Sequence, residues 1–347
     1  MLDRLHSVVF LEMGSKFTDE TVYSTEQVTA WLEHIRLPTS YVEFIKNPVS
    51  FPKTYDSLRT LMRCQISRFP YENLSVHYSA THLVDISPST LYEKLMGPER
   101  DGGRGRGGYC MELSIFFHHM LRGLEFEVYM TAVRNRGRKD GVPGGEYLGF
   151  THINNIIHLP SGQRYSIDVG FGGDGPTSPL PLNGLGQAVK NLGRQEIRLV
   201  HDNITKQKLK EPKLWIYQYR NSPENEWNSF YSFAELEFFQ HDFEVLNWWA
   251  SAKTLHRWTV LVVRFLREGE GVRFSSNPTL PLVNDVTIVG KVMLVDNVIK
   301  INLGGKTSIV HSFDSEEGRL RALVDYFGIS LTDEEKLSIQ GWDKMLG

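Results

Sequence analysis

Apolar side chains in the first third of the chain recur every three or four residues, which is the spacing of amphipathic helices. Residues 24–38 begin with a capping-box pattern at Ser24 and Gln27 and continue with an apolar stripe that ends at a proline. Residues 87–98 have the same form, with Ser87 as the predicted cap. Both segments are therefore predicted to be helices.

A third helix is predicted to begin at Cys110, directly after a segment rich in glycine and arginine. Five apolar residues recur at helical spacing and are expected to face inward: Leu113, Phe116, Phe117, Met120 and Leu121. The first third of the chain is thus expected to bury the helix that starts at this cysteine.

The pattern changes near Phe126, where β-branched and aromatic runs replace the helical spacing. A short helix is expected from about Ser232, and a last amphipathic helix over residues 315–328. The predicted strands cover residues 126–134, 152–159, 164–171, 195–201, 213–220, 259–265 and 291–303. This order predicts an α+β fold with a helical region (1–125), a β region (126–230) and a mixed α/β region (231–347).

Composition narrows the function classes. The chain has 347 residues, of which 41% are apolar, and a formal net charge of −3, which is typical of a globular protein and argues against a nucleic-acid partner. Two cysteines cannot form a disulfide framework, which favours a reducing compartment. Residues 1–13 are too charged for a signal peptide, and no apolar run is long enough to span a membrane. We therefore expect a cytoplasmic protein with no membrane partner.

The position of Cys110 predicts chemistry. A thiol is a poor nucleophile until it ionises, and the unpaired N–H groups at a helix N-terminus favour the thiolate. Gly107 and Gly108 precede the cysteine and would let a substrate approach the bare backbone closely. The alternative is a buried structural cysteine beside a surface loop.

A catalytic thiolate usually requires an imidazole to take its proton and a third group to orient the ring. His152 begins one predicted strand, and Asp168 ends the next, with a turn at residues 160–162 between them. A hairpin would place the two residues close together. The alternative is that His152 only bonds to backbone at the end of its strand.

Two further segments favour a site near this cysteine. Glu72 lies between large apolar residues, where a carboxylate needs an ionic partner, and Arg106 in the glycine-rich segment is a plausible one. Residues 168–176 form a second glycine-rich segment, in which Phe171 could line a pocket. The arginine- and glycine-rich segment lacks the ending of a phosphate-binding loop, and neither cysteine has a second cysteine at zinc-ligand spacing, so no metal is expected.

Four blocks resemble the signature segments of the arylamine N-acetyltransferases. They are "FPYENL" at 69–74, "RGGYC" at 106–110, "TH" at 151–152 and "DVGFG" at 168–172, and they occur in that family's order and at close to its spacing. The resemblance is strong over residues 63–182, and a weaker likeness covers residues 230–247. Four blocks in the same order and at similar spacing make the resemblance to this family specific.

The resemblance implies a helical domain, a β-barrel domain and an α/β lid around a core like that of the cysteine proteases. It also implies a ping-pong reaction in which Cys110 accepts an acyl group from acetyl-CoA or another short acyl-CoA and passes it to an aromatic amine or hydrazine. His152 would exchange the proton, and Asp168 would orient its ring. The family likeness further assigns cofactor contacts to Gly108, Tyr109, Thr151, Ser251 and Thr254, and pocket or support roles to Phe69, Glu72, Arg106 and Phe171.

The sequence departs from the family pattern in two places. Ser114 replaces an asparagine that the family often has, which puts one supporting hydrogen bond in doubt. Residues 134–150 are longer and more basic than expected; they are interpreted as a solvated hairpin loop, and the alternative is contact with the phosphates of coenzyme A. That alternative would use Arg134, Arg136, Arg138 or Lys139.

Several functions stay open at this stage. The donor is expected to be acetyl-CoA, and the alternatives are propionyl-CoA or malonyl-CoA, the last of which would make the protein an N-malonyltransferase. A thiol hydrolase or amidase with the same three residues is the main rival, and a non-catalytic binding relative is the second. A role in xenobiotic metabolism is what the family likeness suggests.

Overall fold

The computed structural model describes residues 22–97, 105–139, 141–276, 278, 280 and 285–347, so the apolar patch at residues 1–13 lies outside the described part of the chain. Its α-helices are α1 Thr25–His34, α2 Tyr55–Arg68, α3 Leu74–His77, α4 Pro88–Met96, α5 Cys110–Gly123, α6 Gln240–Lys253, α7 Leu255–Trp258, α8 Glu316–Ala322 and α9 Asp333–Ser338. A π-helical turn at Leu323–Phe327 follows α8. Most helices lie in the first third or near the C-terminus, as predicted.

The strands are β1 Tyr71–Glu72, β2 Glu127–Lys139, β3 Val142–His158, β4 Arg164–Ile167, β5 Leu180–Pro181, β6 Val189–Lys190, β7 Glu196–Asp202, β8 Leu214–Arg220, β9 Asn228–Phe233, β10 Leu261–Arg267, β11 Ile288–Val295, β12 Val298–Asn302 and β13 Ser308–Ser312. The larger sheet has the order β5-β4-β3-β2-β9-β8-β7-β6, and the smaller one has the order β1-β10-β11-β12-β13. All pairings within these sheets are antiparallel. The fold class is α+β, as the sequence predicts.

The helix that begins at Cys110 lies in the main core. All five apolar side chains that were predicted to face inward on α5 are at most 1% exposed. Burial of one such side chain stabilises the fold by roughly 1.5–3 kcal/mol relative to leaving it in water. Helix α1 begins with the predicted capping box, in which the Gln27 amide nitrogen donates to Ser24 Oγ at 3.3 Å. Ser87 stands at the start of α4, but its hydroxyl bonds to Thr90 Oγ1 instead of capping the helix.

Two of the predicted segments are wrong. Ser232, where a short helix was expected to begin, lies in β9, and the next helix starts only at Gln240. Residues 291–303 form two strands, because Asp296 adopts a positive φ of 53° and reverses the chain. Both misassignments arise because β-branched and aromatic runs continue across the true boundaries.

The basic segment 134–150 is a hairpin, as interpreted, and many of its residues are exposed, but most of it is paired as β-strand instead of forming a loop. It forms the distal half of the β2–β3 hairpin, with Arg134 opposite Phe150 and Arg136 opposite Tyr147. The arginines make contacts within the protein: the Arg134 guanidinium lies 3.9 Å from the Phe150 ring centre, and Arg136 Nε donates to the Gly145 carbonyl at 2.9 Å. Their contact with coenzyme A stays an untested alternative.

The smaller sheet includes a strand from the helical region. Tyr71 pairs with Val263, and Glu72 pairs with Val262, so β1 forms the edge of a sheet whose other strands come from the last third of the chain. The segment that carries Glu72 is thereby attached to the C-terminal region.

Candidate active site

Two backbone hydrogen bonds hold the segment before Cys110 against Pro70 and β1. The Gly108 amide donates to the Pro70 carbonyl at 3.3 Å, and the Glu72 amide donates to the Gly108 carbonyl at 2.9 Å. A Cβ atom at Gly107 would lie 1.7 Å from the Pro70 carbonyl oxygen, and one at Gly108 would lie 2.6 Å from Glu112 Cβ. The protein itself occupies the position where a Cβ atom would stand at both glycines, so the close packing here requires glycine. Close approach of a substrate to this backbone stays a prediction.

Cys110 is the first residue of α5 and is 2% exposed. Burial raises the pKa of its thiol, and the negative charge of Asp168 raises it further. The backbone N–H groups of Met111 and Cys110 lower the pKa, as predicted for a helix N-terminus, but burial outweighs them. The helix start therefore does not ionise the thiol by itself, and a thiolate here needs a nearby proton acceptor, as the sequence analysis expects.

His152 and Asp168 are neighbours, as the hairpin argument predicts. His152 lies in β3, Asp168 follows β4 directly, and Asn155 pairs with Ile167 between these strands. His152 Nε2 is 2.7 Å from Asp168 Oδ2, and both side chains are buried. The bond to Asp168 occupies Nε2, so Nδ1 is the ring nitrogen left to exchange a proton.

Asp168 also connects the histidine to the cysteine segment. Its Oδ1 accepts a hydrogen bond from the Gly170 amide at 3.0 Å. A Cβ atom at Gly170 would lie 2.9 Å from Cys110 Cα, so the backbone after Asp168 packs directly on the start of α5. Among the residues that the structure describes, no hydrogen bond joins the Cys110 sulfur to the His152 ring. Proton exchange between them stays a prediction.

Ser114 lies at the same junction. Its Oγ is buried and has no hydrogen-bond partner in the described part of the chain, while its carbonyl accepts from Asn155 Nδ2 at 3.1 Å. A Cβ atom at Gly170 would lie 2.8 Å from this Oγ. A serine fits here because little space remains between α5 and the backbone at Gly170.

An aromatic wall adjoins the histidine. The Phe171 ring centre lies 4.9 Å from that of His152, 4.8 Å from Phe230 and 4.9 Å from Tyr231. Phe171 is only partly buried, in contrast to Tyr231, which is 0% exposed. These edge-to-face contacts give the His152 ring an aromatic surface on one side.

Glu72 and Arg106 form the expected ion pair, with Arg106 Nε at 2.9 Å from Glu72 Oε1. Lys94 Nζ lies 3.3 Å from the same oxygen, and Glu72 Oε2 accepts from the Leu74 amide at 2.6 Å. Burial alone would raise the pKa of Glu72, but the charges of Arg106 and Lys94 outweigh it and lower the pKa to about 2. Arg106 also contacts Glu335 in α9.

We expect Arg106→Met to lower the free energy of unfolding by about 3–5 kcal/mol, because the substitution leaves Glu72 buried without its arginine partner. Denaturant unfolding at neutral pH measures the effect. Glu72→Gln combined with Arg106→Met should recover part of the loss, since the buried charge is then gone. A loss below 1 kcal/mol for the single variant would contradict this account.

The same pair predicts how stability depends on pH. The pKa of Glu72 falls from an ordinary 4.5 to about 2 on folding, so its ionisation stabilises the fold fully above pH 4.5. That contribution is lost as the pH falls toward 2. Unfolding measured from pH 5 to pH 2 should show a smaller pH dependence in Glu72→Gln than in the parent protein.

Four of the five predicted cofactor residues make hydrogen bonds within the protein. The Tyr109 hydroxyl donates to Asn247 Oδ1, and Ser251 Oγ donates to the Asn247 carbonyl at 2.8 Å. Thr254 Oγ1 accepts from the His256 amide at 3.4 Å and so caps α7. Gly108 makes backbone hydrogen bonds with Pro70 and Glu72. Thr151 Oγ1 is buried and has no hydrogen-bond partner among the described residues. Their contact with coenzyme A stays a prediction.

Phe69 is a core residue. It is 1% exposed, and its ring centre lies 5.5 Å from that of Phe116 on α5. Of the two roles predicted for it, pocket or support, these contacts fit support of α5.

Two residues near the site were not predicted. The Tyr71 hydroxyl lies 3.3 Å from His256 Nε2, and the His256 ring centre is 4.9 Å from that of Tyr109. Burial lowers the pKa of His256 to about 3, and the nearby His152 contributes to this shift. Tyr71 stands beside Glu72 in a signature block, which was a usable signal, whereas nothing in the sequence around His256 marked it.

None of the helices within the described ranges is long and apolar enough to cross a membrane. The described side chains also include no group of three or more histidine, cysteine, aspartate or glutamate residues that could hold a metal ion.

Comparison with known proteins identifies the family. A family model described as N-acetyltransferase matches residues 54–335. The solved structure of Mycobacterium marinum arylamine N-acetyltransferase in complex with CoA aligns with a TM-score of 0.66 at 23% identity, covering 92% of this chain and 100% of that one. The chain belongs to the arylamine N-acetyltransferase family and has its fold.

Two curated relatives indicate how specificity varies in the family. The N-malonyltransferase FDB2 of Gibberella moniliformis is 27% identical over 339 residues, covering 91% of this chain and 92% of that protein. The arylamine N-acetyltransferase of Mycobacterium tuberculosis is 29% identical over 214 residues, covering 61% of this chain and 68% of that protein. Membership in the family makes this chain an acyl-CoA-dependent N-acyltransferase.

Proposed function

We propose that the protein transfers a short acyl group from coenzyme A to an aromatic amine through a thioester on Cys110. The observation that carries the proposal is the buried His152–Asp168 pair, whose aspartate turn packs on the first residue of α5. The family's fold and its arylamine-acetylating members support the same reaction.

In the first half-reaction, His152 Nδ1 takes the proton of the Cys110 thiol, and the sulfur attacks the carbonyl carbon of the acyl-CoA thioester. The carbon–sulfur bond to coenzyme A breaks, and the departing sulfur takes the proton from His152. Asp168 stabilises the imidazolium that exists between these events. The N–H groups of Cys110 and Met111 are suited to stabilise the oxyanion, at about 3 kcal/mol for one donor.

In the second half-reaction, the amine nitrogen attacks the acyl carbon on Cys110 and passes its proton to His152. The Cys110 carbon–sulfur bond breaks, and the sulfur regains a proton from the imidazolium. Phe171 offers an apolar surface beside the His152 ring, where the aromatic ring of an acceptor would pack.

Malonyl transfer is the second candidate function. It is supported by the similarity to N-malonyltransferase FDB2, which covers nearly the whole of both chains, whereas the similarity to the Mycobacterium tuberculosis enzyme covers 61% of this one. The two functions share the thioester chemistry and differ in the donor.

The test is the release of free coenzyme A from acetyl-CoA and from malonyl-CoA, with and without an arylamine. We expect release that requires the amine, together with an equal amount of N-acylated product. Release that is independent of the amine would indicate a thiol hydrolase, and no release with either donor would indicate a non-catalytic relative; either result contradicts the proposal.

A further inference from the structure

A cavity of about 500 Å³ lies beside the larger sheet, between the β2–β3 hairpin, the segment that joins β7 to β8, and the end of β9. Clefts that bind small molecules in proteins have volumes of about 300–1,000 Å³. The walls are mainly apolar and include Leu148, Phe150, Ile204 and Leu214. The cavity therefore has the size and the lining of a small-molecule site.

This cavity lies on the opposite side of the sheet from the candidate active site. Arg134 lines the cavity and pairs with Ser232 on β9. Val133, the residue before Arg134, belongs to the core cluster against which Phe171 packs, and the Phe171 ring contacts His152. Successive residues of a strand point to opposite faces of its sheet. A ligand beside Arg134 would thus be separated from His152 by the sheet itself.

The two charged side chains among the described residues that line the cavity are both cations, Arg134 and Lys206. Arg134 has no ion pair or side-chain hydrogen bond within the described ranges, and its guanidinium lies 3.9 Å from the Phe150 ring centre. This stacking occupies the flat face of the guanidinium and leaves the N–H groups along its edge free to donate. The cavity can therefore offer hydrogen bonds and positive charge to an anion.

Ser232 adds a polar group on the same face. It lines the cavity opposite Arg134 in the β2–β9 pairing, and directly paired residues point to the same side of a sheet. Its Oγ is buried and has no hydrogen-bond partner among the residues that the structure describes. A buried hydroxyl without a partner is unfavourable, so a ligand oxygen that accepts from it would remove that cost.

We propose that this cavity is a second ligand site, which binds a small organic carboxylate. The carboxylate would accept two hydrogen bonds from the edge of the Arg134 guanidinium, and the apolar body of the ligand would pack against Leu148 and Leu214. Two cations with no anion among the described lining residues are the reason for a negatively charged ligand, and the apolar walls are the reason for an organic one. This inference does not depend on the acyl-transfer function.

Isothermal titration calorimetry with benzoate as the probe tests the site. We expect the parent protein to bind benzoate, and Arg134→Gln to weaken binding by roughly tenfold to a hundredfold, because the substitution removes hydrogen bonds to a charged group. Arg198→Gln is the matched control, since the Arg198 guanidinium also stacks on a ring, 4.1 Å from the Trp227 ring centre, but lies outside the described lining of the cavity. This control should leave the affinity unchanged. Benzamide, which has a similar shape and no charge, should bind at least about tenfold more weakly than benzoate.

A second variant keeps the test decisive if Arg134→Gln does not fold. Lys206 is exposed, so Lys206→Glu should fold, and it should weaken benzoate binding by roughly threefold to tenfold because it reverses one charge of the cavity. Phe171→Leu should keep the affinity of the parent protein, since Phe171 lies on the other side of the sheet.

Four results would overturn the proposal. They are no binding of benzoate to the parent protein at millimolar concentration, unchanged affinity in Arg134→Gln, loss of binding in Phe171→Leu, and competition between coenzyme A and benzoate that disappears in Arg134→Gln. The third would place benzoate at the candidate active site, and the fourth would assign Arg134 to the acyl donor. Failure of acyl transfer is a separate result, because it is measured by amine-dependent release of coenzyme A and leaves benzoate binding unaffected.

Discussion

Replacing Cys110 with serine is expected to reduce acyl transfer at least about 10⁴-fold while leaving the fold intact, because loss of a nucleophile removes the covalent route. A buried hydroxyl is a far weaker nucleophile than the thiolate that His152 would generate. Intact-protein mass spectrometry after incubation with the acyl donor alone measures the step directly. The parent protein should gain the mass of one acyl group, and the variant should gain none.

The second cysteine provides the control. Cys64 lies in α2, is fully buried, and packs in the same core as Cys110. Cys64→Ala should retain both acyl-enzyme formation and amine-dependent turnover. Acylation that persists in Cys110→Ser, or that disappears in Cys64→Ala, would place the nucleophile elsewhere.

Substitution of Asp168 by asparagine is expected to lower kcat by roughly 10³–10⁴-fold. The Gly170 amide now donates to Asp168 Oδ1, and it should hold the oxygen of the asparagine side chain in the same place. The new amide nitrogen would then face His152 Nε2 and favour the tautomer that carries its proton on Nδ1. A ring in that state cannot accept the thiol proton.

Single-turnover measurement of acyl-enzyme formation against pH tests this account. The charge of Asp168 also raises the pKa of the Cys110 thiol, so the substitution should make the thiol more acidic even as the rate falls. A more acidic thiol together with a lower rate would indicate that the His152 ring has lost its orientation. Unfolding would instead abolish acyl-enzyme formation at every pH. Asp202→Asn is the control, because Asp202 is exposed at the end of β7, and it should leave the rate of acyl-enzyme formation unchanged. A rate within tenfold of the parent value would contradict the role of Asp168.

The local parts of the site could be predicted because they depend on short-range patterns. His152 lies on β3 and Asp168 directly follows the adjacent strand β4, and a recognisable turn joins the two strands, so the hairpin fixes their proximity. The start of α5 at Cys110 could be predicted because the glycines before it disfavour a helix and the apolar residues after it recur at helical spacing. In each case the distance along the chain is short enough for the secondary structure to determine the contact.

The features of the site that were not predicted depend on contacts between distant parts of the chain. Lys291 meets Gly173 and Arg106 meets Glu335 across more than 100 residues, and nothing in either local sequence specifies the partner. The raised pKa of Cys110 was missed for the same reason, since burial by the whole fold exceeds the effect of its own helix. The length of the strands in the hairpin over residues 134–150 was missed because its glycines suggest a loop, although β2 pairs with β3 as far as Lys139 and Val142.

The two-residue strand β1 has a wider consequence. Tyr71 pairs with Val263 on one side and bridges Gly108 on the other, so one dipeptide joins the loop before Cys110 to the C-terminal sheet. A hinge between these two parts would have to break that pairing. The last third of the chain therefore anchors the backbone from which the cysteine helix starts.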